Sequence, residues 1–108
     1  MTELADAERA LKYLAETDEK YATAQAVMVG TKDRKGITES AEFLNATEGT
    51  VKDRESTAKC SEAYKQIVDK YEESVLDYEL IRAKRLRAEL TIEMWRSLNS
   101  AKSKGVIV

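Results

Sequence analysis

A chain of 108 residues supports one domain, and this one is 35% charged and 6% aromatic, with no proline. So polar a composition excludes a large compact core and gathers the apolar side chains into narrow stripes, as long helices do, so an elongated molecule is expected. The net charge of −2 hides an asymmetry: residues 1–80 carry 11 Lys/Arg against 18 Asp/Glu, while residues 81–108 carry 7 against 2, which favours antiparallel or head-to-tail contact between the two ends over a polyanionic ligand.

Leu4, Ala7, Leu11, Leu14, Tyr21 and Met28 recur at three- and four-residue steps, with Asp18 and Gln25 filling the intervening places on the same stripe. This spacing predicts a helix over about 3–29, with Thr2 as N-cap and Glu3 and Asp6 at the positive end of the helix dipole. "ETDE" at 16–19 can restart a helix from Thr17, so a kink is allowed there. "GTKDRKG", residues 30–36, is the first interruption, because its two glycines each lower helix propensity by about 1 kcal/mol. It either bends the helix or breaks it.

Ile37, Ala41 and Leu44 then return to helical spacing with Phe43 alongside, which predicts a second helix, or a continuation of the first, over about 38–47. "NATEGT" holds the main reversal, placed at 48–50: Gly49 suits the left-handed position after a helix, and Thr50 with Asp53 forms a capping box for the next helix. From Val51 no glycine appears until Gly105. Cys60, Tyr64, Ile67, Tyr71, Ser74, Tyr78, Ile81, Arg85, Ala88, Ile92 and Trp95 keep an unbroken 4-3 alternation, the seam of a coiled coil, so one helix is predicted over about 51–101, with a tail at 102–108.

The predicted fold is therefore all-α, a single domain over 1–108: an elongated antiparallel helical hairpin with one very long C-terminal helix. With Gly49 as the fold-back, levels pair where residue numbers sum to about 97, which sets Asp18 near Glu79 and Arg82, Leu11 near Leu86, and Ala7 near Leu90. Trp95 falls at the open end.

Three sectors divide the last helix at 100° per residue. Arg82, Arg85, Glu89, Glu93 and Arg96 share one strip, where i,i+3 and i,i+4 pairs such as Arg85–Glu89 neutralise one another, as on a solvated face. Leu86, Leu90, Ala83, Met94 and Leu98 form a second sector; Trp95, Ala88, Ile81 and Ile92 form a third. One hairpin partner covers one apolar face, so the other is expected to bury against a second copy, and the interface is assigned to Leu90, Ile92, Met94, Trp95 and Leu98. Lys84 and Arg87 stand outside the neutralised strip, with stems lying along apolar neighbours or with acids such as Asp18 as partners. Their other use is as phosphate contacts beside Trp95.

Catalytic chemistry is thin. The chain has no histidine, and the single Cys60 forms neither an intramolecular disulfide nor a zinc site. No glycine-rich phosphate loop is present. Asp69, Glu72, Glu73, Asp77 and Glu79 read as a solvated acidic face, because helix-borne carboxylate metal sites pair acids with histidine. No catalytic residue, metal or cofactor is expected. No basic-then-apolar leader opens the chain, and no apolar run nears the ~18 residues of a membrane span. The tail "AKSKGVIV" is expected to fray, or to add to a partner's sheet edge.

"ESAEFLNATEGTVKDRESTAKCSEAY" together with "AELTIEMWRSLNS" resembles a group of small helical proteins encoded by tailed bacteriophages and prophages. The likeness covers about two thirds of the chain, and it implies an accessory role near early genes that recombine phage DNA, in the cytoplasm of the bacterial host. The expected function is a non-enzymatic accessory protein that self-associates and binds another protein, in phage DNA recombination or interference with a host factor. Two alternatives stand beside it: a single-stranded nucleic-acid binder using Lys84, Arg87, Arg96, Lys102 and Lys104 around Trp95, and a passive structural spacer.

Overall fold

A computed structural model describes residues 3–105. Among them are three helices and no strand: α1, Glu3–Asn45; α2, Val51–Lys59; and α3, Glu62–Ser103. The all-α class and the very long C-terminal helix are as the periodicity predicts. The proposed cap Thr2 and residues 106–108 of the tail lie outside the described residues.

Residues 30–36 neither break nor end α1, which continues as one helix of 43 residues, about 65 Å at 1.5 Å per residue. Its inward side explains the persistence. Ala7, Ala10, Leu14, Thr17, Tyr21, Ala24, Met28, Thr31, Lys35, Thr38 and Glu42 are all buried or half-buried, an uninterrupted 3-4 alternation that passes straight through the glycine segment. Contacts along that side hold the helix where propensity alone would not. Thr17 caps nothing: its hydroxyl donates back to the Tyr13 carbonyl at 2.7 Å, inside the helix.

The helix expected from 51 to 101 is divided at Cys60–Ser61. Ser61 Oγ accepts the Tyr64 N–H at 3.2 Å and donates to the Ala58 carbonyl at 2.7 Å, so one serine starts α3 and closes α2. The division uses neither glycine nor proline, the two breakers that sequence patterns advertise.

The turn before α2 forms as expected. Gly49 has φ +89°, and Thr50 and Asp53 exchange hydrogen bonds: Thr50 N–H to Asp53 Oδ2 at 3.0 Å, Asp53 N–H to Thr50 Oγ1 at 3.2 Å. The Thr50 backbone bond first, and its side-chain bond second, hold the Asp53 carboxyl below its ordinary value. Arg54 closes the other side. No basic residue lies in the last turn of α1, and Arg54 supplies the cation from α2, donating to the carbonyls of Ala46 (2.5 Å) and Phe43 (3.2 Å) while its guanidinium covers the Phe43 ring at 4.3 Å.

The chain divides into two compact units: Met1–Ala22 with Glu79–Val108, and Thr23–Tyr78. In the first, α1 and α3 run antiparallel around Ala10, Ala88 and Ile92, with Tyr13 and Leu14 packed against them. In the second, Lys35 lies 5.3 Å from the centre of the Tyr71 ring, Glu39 pairs with Lys59, and Phe43 meets Arg54, an antiparallel order once more. Thr31 and Ser74 are its buried polar residues; each hydroxyl donates to a carbonyl of its own helix, Val27 and Tyr71, at 2.6 Å. Ile37, Ala41 and Leu44 point outward here, because Lys35, Thr38 and Glu42 hold the inward side.

These caps and glycines make opposite predictions. At Gly36 a Cβ meets nothing within 4 Å, so Gly36→Ala should stabilise the chain by about 0.5–1 kcal/mol in denaturant titration. At Gly49 a Cβ would sit 2.7 Å from that of Asp53, with φ positive, so Gly49→Ala should cost more than about 1 kcal/mol. The lowered Asp53 pKa contributes stability that is present above the ordinary carboxylate range and is lost as pH falls through the folded value. Asp53→Asn should therefore flatten the acid limb of a stability-against-pH curve.

Candidate interaction surface

What α3 buries and what it leaves exposed is decided by α1. The buried side of α3 is the predicted 4-3 stripe: from Tyr64 to Trp95 every member is buried or half-buried. Ile92 is therefore a core residue, 8% exposed, and its assignment to an interface between copies is corrected. Trp95, three positions on, is half-buried on the same side, as is Leu98.

The other apolar sector, expected to meet α1, is turned outward. Leu80, Leu86, Leu90 and Met94 are exposed, the last two at 67% and 66%, and so are Leu4 and Leu11 of α1. Pairing of Leu11 with Leu86 and of Ala7 with Leu90 is thus not what forms. The reason is size. Alanine and threonine alternate with larger residues along the inward side of α1, so the bulkier residues of α3 fit against it, and a leucine-on-leucine seam would hold the helices further apart.

The cations separate in the same way. Arg85 leaves the neutralised strip: it donates to the Leu14 carbonyl at 2.9 Å, Thr17 Oγ1 at 2.7 Å and Asp18 Oδ1 at 2.8 Å, and its guanidinium lies 4.9 Å from the centre of the Tyr21 ring. Its side chain is 15% exposed. Asp18 therefore meets Arg85 in place of Arg82, a shift of one turn from the expected level. On the solvent side Arg82 pairs with Glu79 at 3.5 Å and Arg96 with Glu93 at 2.7 Å.

Lys84 and Arg87 line an open groove together with the apolar Ala10, Tyr13, Ala88, Leu90 and Met94 and the polar Asp6, Arg9 and Thr91. Asp6 and Arg9 pair with each other. Neither Lys84 nor Arg87 joins an ion pair among the described residues. Lys102 and Lys104 are exposed at the end of α3. Helical rotation puts Arg96 roughly opposite Arg87, so the five cations form no single face.

Among the described residues no three of His, Cys, Asp and Glu gather to hold a metal ion, and no helix is long and apolar enough to cross a membrane. The outward leucines were detectable in the chain: Leu76, Leu80, Ala83, Leu90 and Met94 keep their own 4-3 spacing beside the buried stripe. No family model, characterised protein or solved structure matches the chain.

Arg85 provides the test of how the first unit is held. Arg85→Lys loses the planar fork that reaches three acceptors and should cost about 2 kcal/mol in thermal or denaturant unfolding. Asp18→Asn, at an exposed partner, should cost less than about 1 kcal/mol.

Proposed function

We propose that the chain is a non-enzymatic binding protein that self-associates and presents a helical surface to another protein, as a phage-type accessory in DNA recombination or in interference with a host factor. One observation carries the self-association. Among the described residues the buried hydrophobic ones are Ala7, Ala10, Ala58, Ala88 and Ile92, and no large side chain is fully buried, whereas twelve large hydrophobic side chains are exposed. Burial of one leucine contributes about 1.5–3 kcal/mol, and a core this thin leaves most of the available hydrophobic free energy to association.

Leu90 and Met94 carry that contact, with Leu80 and Leu86 beside them. Trp95, half-buried on the side of α3 that carries Ala88 and Ile92, supports it from within. A second reading, binding of single-stranded nucleic acid, draws on Lys84 and Arg87, which join no ion pair among the described residues.

Sedimentation separates these roles. The chain at micromolar concentration should sediment above its 12.2 kDa monomer mass, and Leu90→Ser with Met94→Ser should return it to monomer with helicity retained. Trp95→Ala should instead lower stability by about 1–3 kcal/mol. A mass of 12.2 kDa at every concentration would overturn the proposal. Steeply salt-dependent binding of a labelled oligonucleotide, lost in Lys84→Ala with Arg87→Ala, would favour the second reading.

A further inference from the structure

Two exposed faces of the first unit carry free charge of opposite sign. One is the groove that Lys84 and Arg87 line with Leu90 and Met94. No acid stands three or four residues from either cation in the chain. Asp6, on the α1 side of the groove, is engaged by Arg9. Glu89 and Glu93 lie about 120° or more round α3 from both cations, and Glu93 pairs with Arg96. The other face is the outward side of α1, where Leu4, Glu8, Leu11, Ala15 and Glu19 recur at three- and four-residue steps and are all exposed. Glu8 and Glu19 join no ion pair among the described residues. Lys12, one turn from Glu8, pairs instead with Glu16 at 3.8 Å.

We propose that the groove of one copy receives the outward side of α1 from a second copy, with Glu8 facing Arg87. The contact rests on the self-association proposed above and names the two faces that make it. Both belong to the first unit. With the incoming α1 parallel to α3 and Glu8 at the level of Arg87, Leu11 comes to the level of Leu90, Ala15 to that of Met94, and Glu19 within about one turn of Lys102. The opposite direction would move Leu11 to the level of Lys84, away from Leu90 and Met94. Two grooves placed face to face would set Lys84 and Arg87 against their own counterparts, so like charge disfavours that pairing. A third helix laid between α1 and α3 covers the exposed leucine and methionine that a hairpin leaves open.

The contact is head-to-tail. Asp6, Arg9 and Tyr13, which line the groove, stand about 140–180° round α1 from Leu4 and Leu11. A copy that receives one neighbour in its groove therefore offers its own Leu4–Leu11 face to a different one, and the assembly grows past a dimer.

Charge reversal across copies tests the contact. Sedimentation is read at a concentration where the unaltered chain is an oligomer, and helicity by circular dichroism checks that each variant folds. Glu8→Lys alone and Arg87→Glu alone should each weaken association about tenfold or more. A one-to-one mixture of the two variants should restore the oligomer, because each altered face then meets one of opposite charge, whereas damage to the fold would not be repaired by mixing. Association unchanged in both variants, or weakened without recovery in the mixture, would overturn this contact while self-association stands. Tighter association in Arg87→Glu alone would also overturn it, since that is the result of grooves facing each other. An unaltered chain that sediments as a monomer at every concentration would remove both proposals together.

Discussion

Small side chains on α1 govern this molecule. Ala7, Ala10, Thr17, Ala24, Thr31 and Thr38 alternate with larger residues along its inward side, and their size lets the tyrosines, isoleucines and tryptophan of α3 come close. Two helices that pack small against large achieve dense contact with little apolar material. The cost is a thin core, and most of the leucines are left outside it.

Arg85 then sets the register of the first unit. A guanidinium has five donors in a rigid fork, and here three acceptors on successive parts of one α1 turn, at Leu14, Thr17 and Asp18, receive them. Sliding α3 by one residue would separate the fork from all three and from the Tyr21 ring. A polar residue in an apolar seam commonly has this effect: it contributes little net stability and makes one alignment much better than its neighbours. Lys35 beside Tyr71 is a weaker counterpart in the second unit.

The same packing choice shapes the functional reading. Had the leucine sector of α3 met α1, the tryptophan face would have been left for partners, with an aromatic ring and cations side by side. Instead Trp95 joins the packed side, and the surface offered outward is aliphatic, bordered by Lys84 and Arg87. Such a surface suits another helix better than a stacked base.

The all-α class, the Gly49–Thr50–Asp53 turn and the buried stripe of α3 from Tyr64 to Trp95 were legible in the chain, because each is a local matter of spacing, capping and φ, and local rules settle local structure. Three features were not. The division at Ser61 depends on a hydroxyl that can equally well sit exposed on a continuous helix, and the unbroken path of α1 through Gly30 and Gly36 depends on contacts that outweigh two unfavourable propensities. The inward side of α1 was hidden for a different reason. Periodicity weighted by hydrophobicity selects Leu4 and Leu11, whereas packing weighted by fit selects Ala10, Thr17 and Thr31. Which of two apolar faces is buried is a question of the partner's shape, and a helix's own residues do not contain that shape until the second helix is laid against it.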